Sequence, residues 1–410
     1  MRLLVYEHVS GGGFADREIA PSVLCEGFGM LRTVVADFKA AGHNVTSTLD
    51  SRIARLNPPI YTDCIVLVSS SQDAKENFQK IAEQVDAVYV IAPETQRIFR
   101  SLVEFVEQTG PASLNCSADA IEKLSDKAFF YESLRKIGIS QPETILFSVA
   151  DDLREIRRTI RGFLSFPLIL KPSKGVSCCG LSIVRNEEQI AGALKKIKQE
   201  SSSEQFLAQE LIVGAAASVS LISTGTRAVP VSLNRQDVTI GKPGAYSEYS
   251  GGLVPFDHSL KAEAFEVAEK IVEFFKELNG YVGVDFVLTE DEPVAVEVNA
   301  RLTTSYIGLR GVVNFNPAQA IANAVLKRQL PKNTQSFGYT NFSKMSTHHP
   351  QLAALQKTYR MKEVVSPPFP VSKNNISSAL IAASGITPKE AAAKIREAKK
   401  RVLNTINRGT

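Results

Sequence analysis

Cysteine is scarce: Cys25, Cys64, Cys116, Cys178 and Cys179 are the five in 410 residues. Their number is odd and no C-x-x-C spacing occurs. That argues against a disulfide framework or a zinc site and suits a reducing cytoplasm. No apolar run approaches 18 residues and no signal-peptide pattern opens the chain, so no membrane partner is expected. Neither sign of charge dominates: 47 Lys+Arg against 43 Asp+Glu leave a net charge of +4. Without a basic helix interleaved with aromatics, no nucleic-acid partner is expected either. The familiar phosphate motifs are missing. G-x-x-x-x-G-K-[ST] does not occur, and the glycines at 11–13, after the apolar stretch 2–6, do not fit G-x-G-x-x-G. They supply either a turn or a flexible loop facing a substrate.

What is present is a chain 44% apolar, long enough for two or three cores. Apolar runs at 2–6, 64–68 and 87–91 alternate with helical spacing over 23–41, 73–84 and 94–108. That alternation predicts a parallel sheet with crossover helices in a first unit, 1–115. A second unit, 116–203, opens with a helix over 118–137 that ends at Gly138. Strand 168–170 then runs into a polar, glycine-containing loop, returns as strand 183–184, and leads to a helix over 187–200. A third unit, 204–334, is dominated by strands at 206–211, 217–223, 228–233, 281–288 and 293–298, with a helix over 260–278. Residues 335–386, rich in Pro, Ser and Asn, read as an irregular region of a C-terminal extension, 335–410. A final helix over 387–406 starts with Thr387, Pro388 and Glu390, a capping box.

Three stretches carry chemistry together. Lys127 stands early on a helix in "SDKAFFYESL". In "LILKPSKGVSCCGLSIV" a strand ends in Lys171 before the loop, and loop N–H groups with a lysine can cover phosphate oxygens. In "YVGVDFVLTEDEPVAVEVNAR" a short turn joins two strands, which sets Asp285 and Glu297 on one face. Asn299, two residues on, points the same way. An oxygen-only set without His or Cys suits Mg²⁺ bridging phosphates. Taken singly, Lys127 is an ordinary helix lysine, "KPSKG" an ordinary turn and Asp285 a buried acid. "EVNAR" is harder to explain by stability, because it gathers an acid, an amide and a guanidinium at one strand end. His8 reads as a packed or surface residue, and His348 and His349 as part of a polar segment.

The order Lys127, Lys171 with its loop, "AQELIVG", "GVDFVL" and "EVNAR" resembles the ATP-grasp superfamily over about residues 1–330. The resemblance implies an α/β ATP-grasp fold: a Rossmann-like pre-ATP-grasp domain, two α+β lobes clasping ATP, and the C-terminal extension. It implies that Lys127 and Lys171 contact phosphates and that 173–180, with Ser173, Lys174, Gly175 and Gly180, is the lid. Gln209, Glu210 and Leu211 would lie at the adenine hinge. Asp285, Glu297 and Asn299 would hold Mg²⁺ or Mn²⁺. Many members carry a ribose-binding acid after the hinge, whereas here that region reads "VGAAASVS". "YEHVSGGG", "VSLNRQ", "YSGGLVPF" and "EVNARLTTSY" further resemble archaeal tyramine–glutamate ligases of methanofuran biosynthesis.

The activity so implied is ATP-dependent carboxylate–amine ligation through an acyl-phosphate, releasing ADP and phosphate. It would join an amino acid such as glutamate to an amine such as tyramine. Arg301 and Lys171 are the implied catalytic residues. Asn234, Arg235, Arg301, Thr303 and Ser305 are the candidate substrate contacts. "GGGFADREIA" resembles the first loop of D-alanine–D-alanine ligases, which implies that Gly12 and Gly13 admit an amino acid close to the backbone and that Asp16 approaches its amino group. Two other readings stay open: an ATP-grasp enzyme with another acceptor, and a nucleotide-binding regulator without catalysis. Oligomeric state is open too, a homodimer included.

Overall fold

The computed structural model describes residues 1–175 and 178–407, which form three sheets. The first is wholly parallel: β1 (Arg2–Glu7), β2 (Asn44–Asp50), β3 (Cys64–Val68), β4 (Ala87–Ile91) and β5 (Ala112–Ser113) lie in the order β3-β2-β1-β4-β5. β1 and β4 are buried nearly throughout, as their continuous apolar runs predict. The crossovers are α1 (Pro21–Ala40), α2 (Ser51–Ala54), α3 (Ser71–Ala82) and α4 (Ile98–Thr109). The chain leaves β1 toward β2 and returns to its other side as β4. The C-terminal ends of β1 and β4 therefore flank a switch point, where open α/β sheets take ligands. β2, sequence NVTSTLD, is too polar to announce itself as a strand, yet five of its seven residues are buried.

The single helix expected over 118–137 is two. α5 (Ala118–Ser125) and α6 (Lys127–Lys136) meet at Asp126, which leaves helical geometry at φ −93°, ψ 102°. Its carboxylate accepts the Ala128 N–H at 2.9 Å. The break makes Lys127 the first residue of α6 rather than a mid-helix lysine. The second sheet has the order β6-β9-β7-β8, antiparallel, from β6 (Thr144–Ser148), β7 (Leu168–Pro172), β8 (Ser182–Val184) and β9 (Gln205–Glu210). α7 (Leu153–Phe163) and α8 (Ile190–Glu200) bury Ile156, Ile160 and Ile197 against it.

The third sheet has eight strands: β10 (Ala215–Thr224), β11 (Ala228–Thr239), β12 (Glu248–Val254), β13 (Asn279–Leu288), β14 (Pro293–Asn299), β15 (Tyr339–His348), β16 (Val364–Ser366) and β17 (Ile376–Gly385). Its order is β14-β13-β10-β11-β12-β15-β17-β16. α9 (Lys261–Phe274), α10 (Tyr306–Leu309), α11 (Pro317–Lys327), α12 (Leu352–Tyr359) and α13 (Pro388–Asn407) complete the chain. Residues 335–386 are thus not irregular. β15 pairs with β12 and carries β17 and β16 beyond it, so the extension continues the lobe's own sheet. It also grips α1: the Arg32 guanidinium donates to the Val364 and Val365 carbonyls at 2.9 and 3.1 Å. The capping box on α13 forms with one shift: Thr387 Oγ1 accepts the Glu390 N–H, while the Glu390 carboxylate accepts from Ile386 N–H.

Candidate active site

A cavity of about 380 Å³ opens where the switch point of the first sheet meets the second and third sheets. β7 brings Lys171, its penultimate residue, to the cavity, where its Nζ donates to the Tyr131 hydroxyl oxygen at 2.9 Å. Burial, with Lys127 nearby, pulls the Lys171 pKa down to about 7. Lys127 Nζ donates to the Gly175 carbonyl at 3.1 Å and lies 3.0 Å from Glu297 Oε1. Burial works against the Lys127 charge, but Glu297 outweighs it and holds the ammonium above its usual range. Reciprocally, Lys127 and Lys171 overcome burial and hold Glu297 below the usual carboxylate range.

The β13–β14 hairpin sets Asp285 directly opposite Glu297. A bulge follows, since Phe286 pairs with Ala295, so Val296 is the extra residue. The Tyr131 O–H donates to the Val296 carbonyl at 2.5 Å and so ties the bulge to Lys171. Burial and the facing Glu297 push Asp285 up to about 7, against donors from Asn299 (3.1 Å) and Gln236 (3.0 Å). Two half-buried carboxylates with one amide beside them are a donor set for a hard divalent cation. Among the described residues no group of three or more His, Cys, Asp and Glu gathers as a metal site, this cluster included, since its third donor is an amide. Arg301 completes the cluster: Nε donates to Glu94 Oε1 at 2.8 Å and Nη2 to Asn299 Oδ1 at 3.0 Å.

The other expected residues divide. Gln209, Glu210 and Leu211 line the cavity beside apolar Pro142, Ile169 and Ile212, and β9 ends at Glu210, which frees the next backbone groups from the ladder. Thr303 and Ser305 line it too, bonded to the Tyr281 hydroxyl at 2.8 and 3.3 Å. Asn234 lies one layer below, its amide donating to Ser220 Oγ at 2.9 Å and Ser218 Oγ at 3.3 Å. Arg235 is on the opposite face of β11, paired with Asp237 at 3.0 Å, and Gln236 reaches the cavity instead. In the loop after β7, Gly175, Cys178 and Cys179 line the cavity, whereas Ser173 bonds Ser203, Lys174 points to Glu122 at 3.6 Å, and the Gly180 N–H donates to Glu200. Residues 176 and 177 of that loop lie outside the described residues.

Gly12, Gly13 and Asp16 are not brought to the cavity. Residues 8–13 form a tight turn, with Gly12 at φ 99°, where a Cβ would sit 2.3 Å from the Val68 side chain. Asp16 instead accepts the Ser71 N–H at 2.7 Å, at the start of α3. The turn is anchored by Glu7, a buried carboxylate that accepts from Val9 N–H, Ser10 N–H and Ser10 Oγ. Glu7 is what the first strand offers the cavity, and the turn adds Val9. The helix after the turn contributes Glu26. Sequence reasoning missed Glu7, Glu26, Glu94, Tyr131, Gln236 and Tyr249. Gln236 alone carried a signal, because it sits inside "VSLNRQ" and alternation separates it from Arg235. His349 bonds Ser372 and the Ile376 carbonyl, and neither it nor His348 lines the cavity.

A "pre ATP-grasp 3 domain" family matches residues 43–121, and an "ATP-grasp domain" family matches residues 124–305. Tyramine–L-glutamate ligase of Methanocaldococcus fervens is 31% identical over 310 residues, 75% of this chain and 89% of that protein. A putative ATP-grasp superfamily protein from Archaeoglobus fulgidus superposes with TM-score 0.61 at 24% identity, covering 93% of this chain and 99% of that one. A biotin carboxylase–β-γ-ATP complex from Campylobacter jejuni superposes with TM-score 0.71 at 14% identity, covering 96% and 89%. The structural likenesses speak to the fold.

Proposed function

The chain belongs to the ATP-grasp family, and from that premise we propose how its cavity performs ligation. It is an ATP-dependent carbon–nitrogen ligase that joins a carboxylate to an amine. Glutamate and tyramine are the first substrate pair to consider, by similarity to the archaeal ligase. By role, 1–115 supplies substrate contacts, 116–203 the lid, and 204–334 the cation site, while 335–410 braces the first domain. Five free cysteines suit a reducing cytoplasm.

The adenine lies between Ile169 and Leu211, with its edge against the backbone released after Glu210. Lys127 and Lys171 hold the phosphates. Asp285, Glu297 and Asn299 would hold Mg²⁺ or Mn²⁺, which would supply charge neutralisation on the phosphates when bound. Burial and Glu297 raise the Asp285 carboxyl to about 7, so it would have to be ionised to hold such a cation. The donor carboxylate oxygen attacks the γ-phosphorus, the bond to the bridging oxygen breaks, and ADP leaves. Lys127 and Lys171 follow the charge that builds on the transferring group. The amine nitrogen, having lost its ammonium proton, attacks the acyl carbon, and phosphate departs with the electrons of the C–O bond and takes up a second N–H proton, which leaves a neutral amide. Arg301, fixed by Glu94 and Asn299, faces the oxyanion of that step.

The single observation that carries this reading is the Lys171–Lys127–Glu297–Asp285–Arg301 cluster in one cavity wall. The test is ADP release by purified protein against a panel of amino acids, amines and bicarbonate. An amine-dependent signal with a carboxylate donor is expected. ATP binding with no ADP formation from any pair refutes ligation, and stimulation by bicarbonate alone refutes the amine.

A further inference from the structure

The cavity has an end that the phosphate chemistry does not use. One face of α1 supplies Val23, Glu26, Gly27 and Met30, at the i, i+3, i+4, i+7 spacing of a helix stripe. Tyr249 of β12 and Thr304, from the loop after β14, face the same end. Lys344, on β15 of the C-terminal extension and outside both family matches, does not itself line the cavity but stands directly behind Glu26 and Tyr249, which do. Its ammonium lies 2.6 Å from Glu26 Oε1 and 5.8 Å from the Tyr249 ring centre. Thr304 Oγ1 donates to Glu26 Oε2 at 3.0 Å, which ties the pair to the loop that starts at Arg301.

The side chains of Glu26 and Lys344 are 20% and 13% exposed. An ion pair so shielded is a poor source of stability, because desolvation offsets most of the attraction. As a binding device it has a clear advantage. Empty, the two charges neutralise each other. Filled by a zwitterion, each finds a new opposite partner, so no buried charge is left alone in either state. Around the pair the wall is apolar, from Val9, Val23 and Met30.

Resting on the ligase reading above, we propose that Glu26 and Lys344 form a subsite for the zwitterionic head of an α-amino acid. Glu26 takes the ammonium and Lys344 the carboxylate. The same head chemistry belongs to a donor activated at a distal carboxylate and to an amino-acid acceptor.

The test is steady-state kinetics of the full chain with Lys344→Met and Glu26→Gln, each substrate varied in turn. KM for the zwitterionic substrate rises about tenfold or more in both, as expected when one partner of a shielded charge pair is removed. KM for ATP stays unchanged. A rise for the donor assigns the head to the donor; a rise for the acceptor assigns it there. Lys344→Met also ceases to discriminate between the amino acid and its analogue lacking the α-carboxylate. The double variant Glu26→Lys with Lys344→Glu rebuilds the ion pair in reverse, so it restores a structural contact but not an oriented subsite. Wild-type KM values in that double variant, or unchanged KM values in both single variants, overturn the proposal. If wild type releases no ADP with any pair, it is the ligase reading that fails. The subsite is then read by calorimetric titration of α-amino acids: saturable binding weakened in Lys344→Met supports it, and no binding, or equal binding by wild type and Lys344→Met, overturns it.

Discussion

Replacing Tyr131 by phenylalanine removes one oxygen from the centre of the cavity. That oxygen accepts from Lys171 Nζ at 2.9 Å, and its hydrogen goes to the Val296 carbonyl at 2.5 Å. Lys171 needs the acceptor. Burial and Lys127 already hold its pKa at about 7, so the empty site keeps the lysine close to half charged at neutrality. An ammonium has three donors, so Tyr131 stays bonded while phosphate oxygens take the others. A hydrogen bond to a charged group is worth about 1.5–3 kcal/mol. Without it the neutral lysine is favoured further, and ATP must draw a proton onto Lys171 as it binds. The expected rise in KM for ATP is about ten- to a hundredfold, the equivalent of that energy. The loss is larger at pH 8 than at pH 6, because the free site's lysine is neutral above its pKa. ADP release with ATP varied at both pH values reads the effect, and a thermal melt confirms folding. A folded Tyr131→Phe protein whose KM for ATP stays within about twofold of wild type at both pH values refutes the argument.

Glu94→Gln keeps a hydrogen-bond acceptor beside Arg301 but removes the counter-charge. kcat/KM for the carboxylate donor falls about tenfold with KM for ATP unchanged, consistent with losing the charge-assisted part of that contact; equal losses for both substrates would count against it. Asp16→Ala leaves both substrate KM values unchanged and lowers stability by about 1 kcal/mol, the usual cost of losing a helix N-terminal acceptor, measured by urea unfolding. His8 is held neutral: burial, then the Arg17 charge, lowers its pKa from 6.5 to about 4. Between those values the unfolded chain binds the extra proton, so stability is full above pH 6.5 and declines as pH falls toward 4, by up to about 3 kcal/mol. His8→Gln lacks that component, so in urea unfolding between pH 7 and 4 wild type loses stability relative to the variant as pH falls; parallel curves would exclude the His8 contribution.

Local periodicity made much of the site legible. Asp285, Glu297 and Asn299 sit on one face because strands alternate and a short turn fixes their register, and Lys171 stands where its strand must end. Alternation could not sort Arg235 from Gln236, since "LNRQ" does not say which of two adjacent side chains faces inward until β11 has neighbours on both sides. Lys127 became a first-turn residue only because Asp126 broke the helix and capped the second half, a choice that depends on Lys127 N–H meeting the Ser173 carbonyl across the cleft. The polar strands β2 and β15 gave no clear local signal, because their burial is imposed by the sheets they join. By itself, then, the sequence determined most of the strands and helices before residue 335, the hairpin of Asp285, Glu297 and Asn299, and the family. Tertiary structure decided the rest. Arg301 meets Glu94 across 207 residues and Lys344 meets Glu26 across 318. Such pairs are selected by the packing of whole elements, and no periodicity within one strand or helix encodes which distant charge will face it.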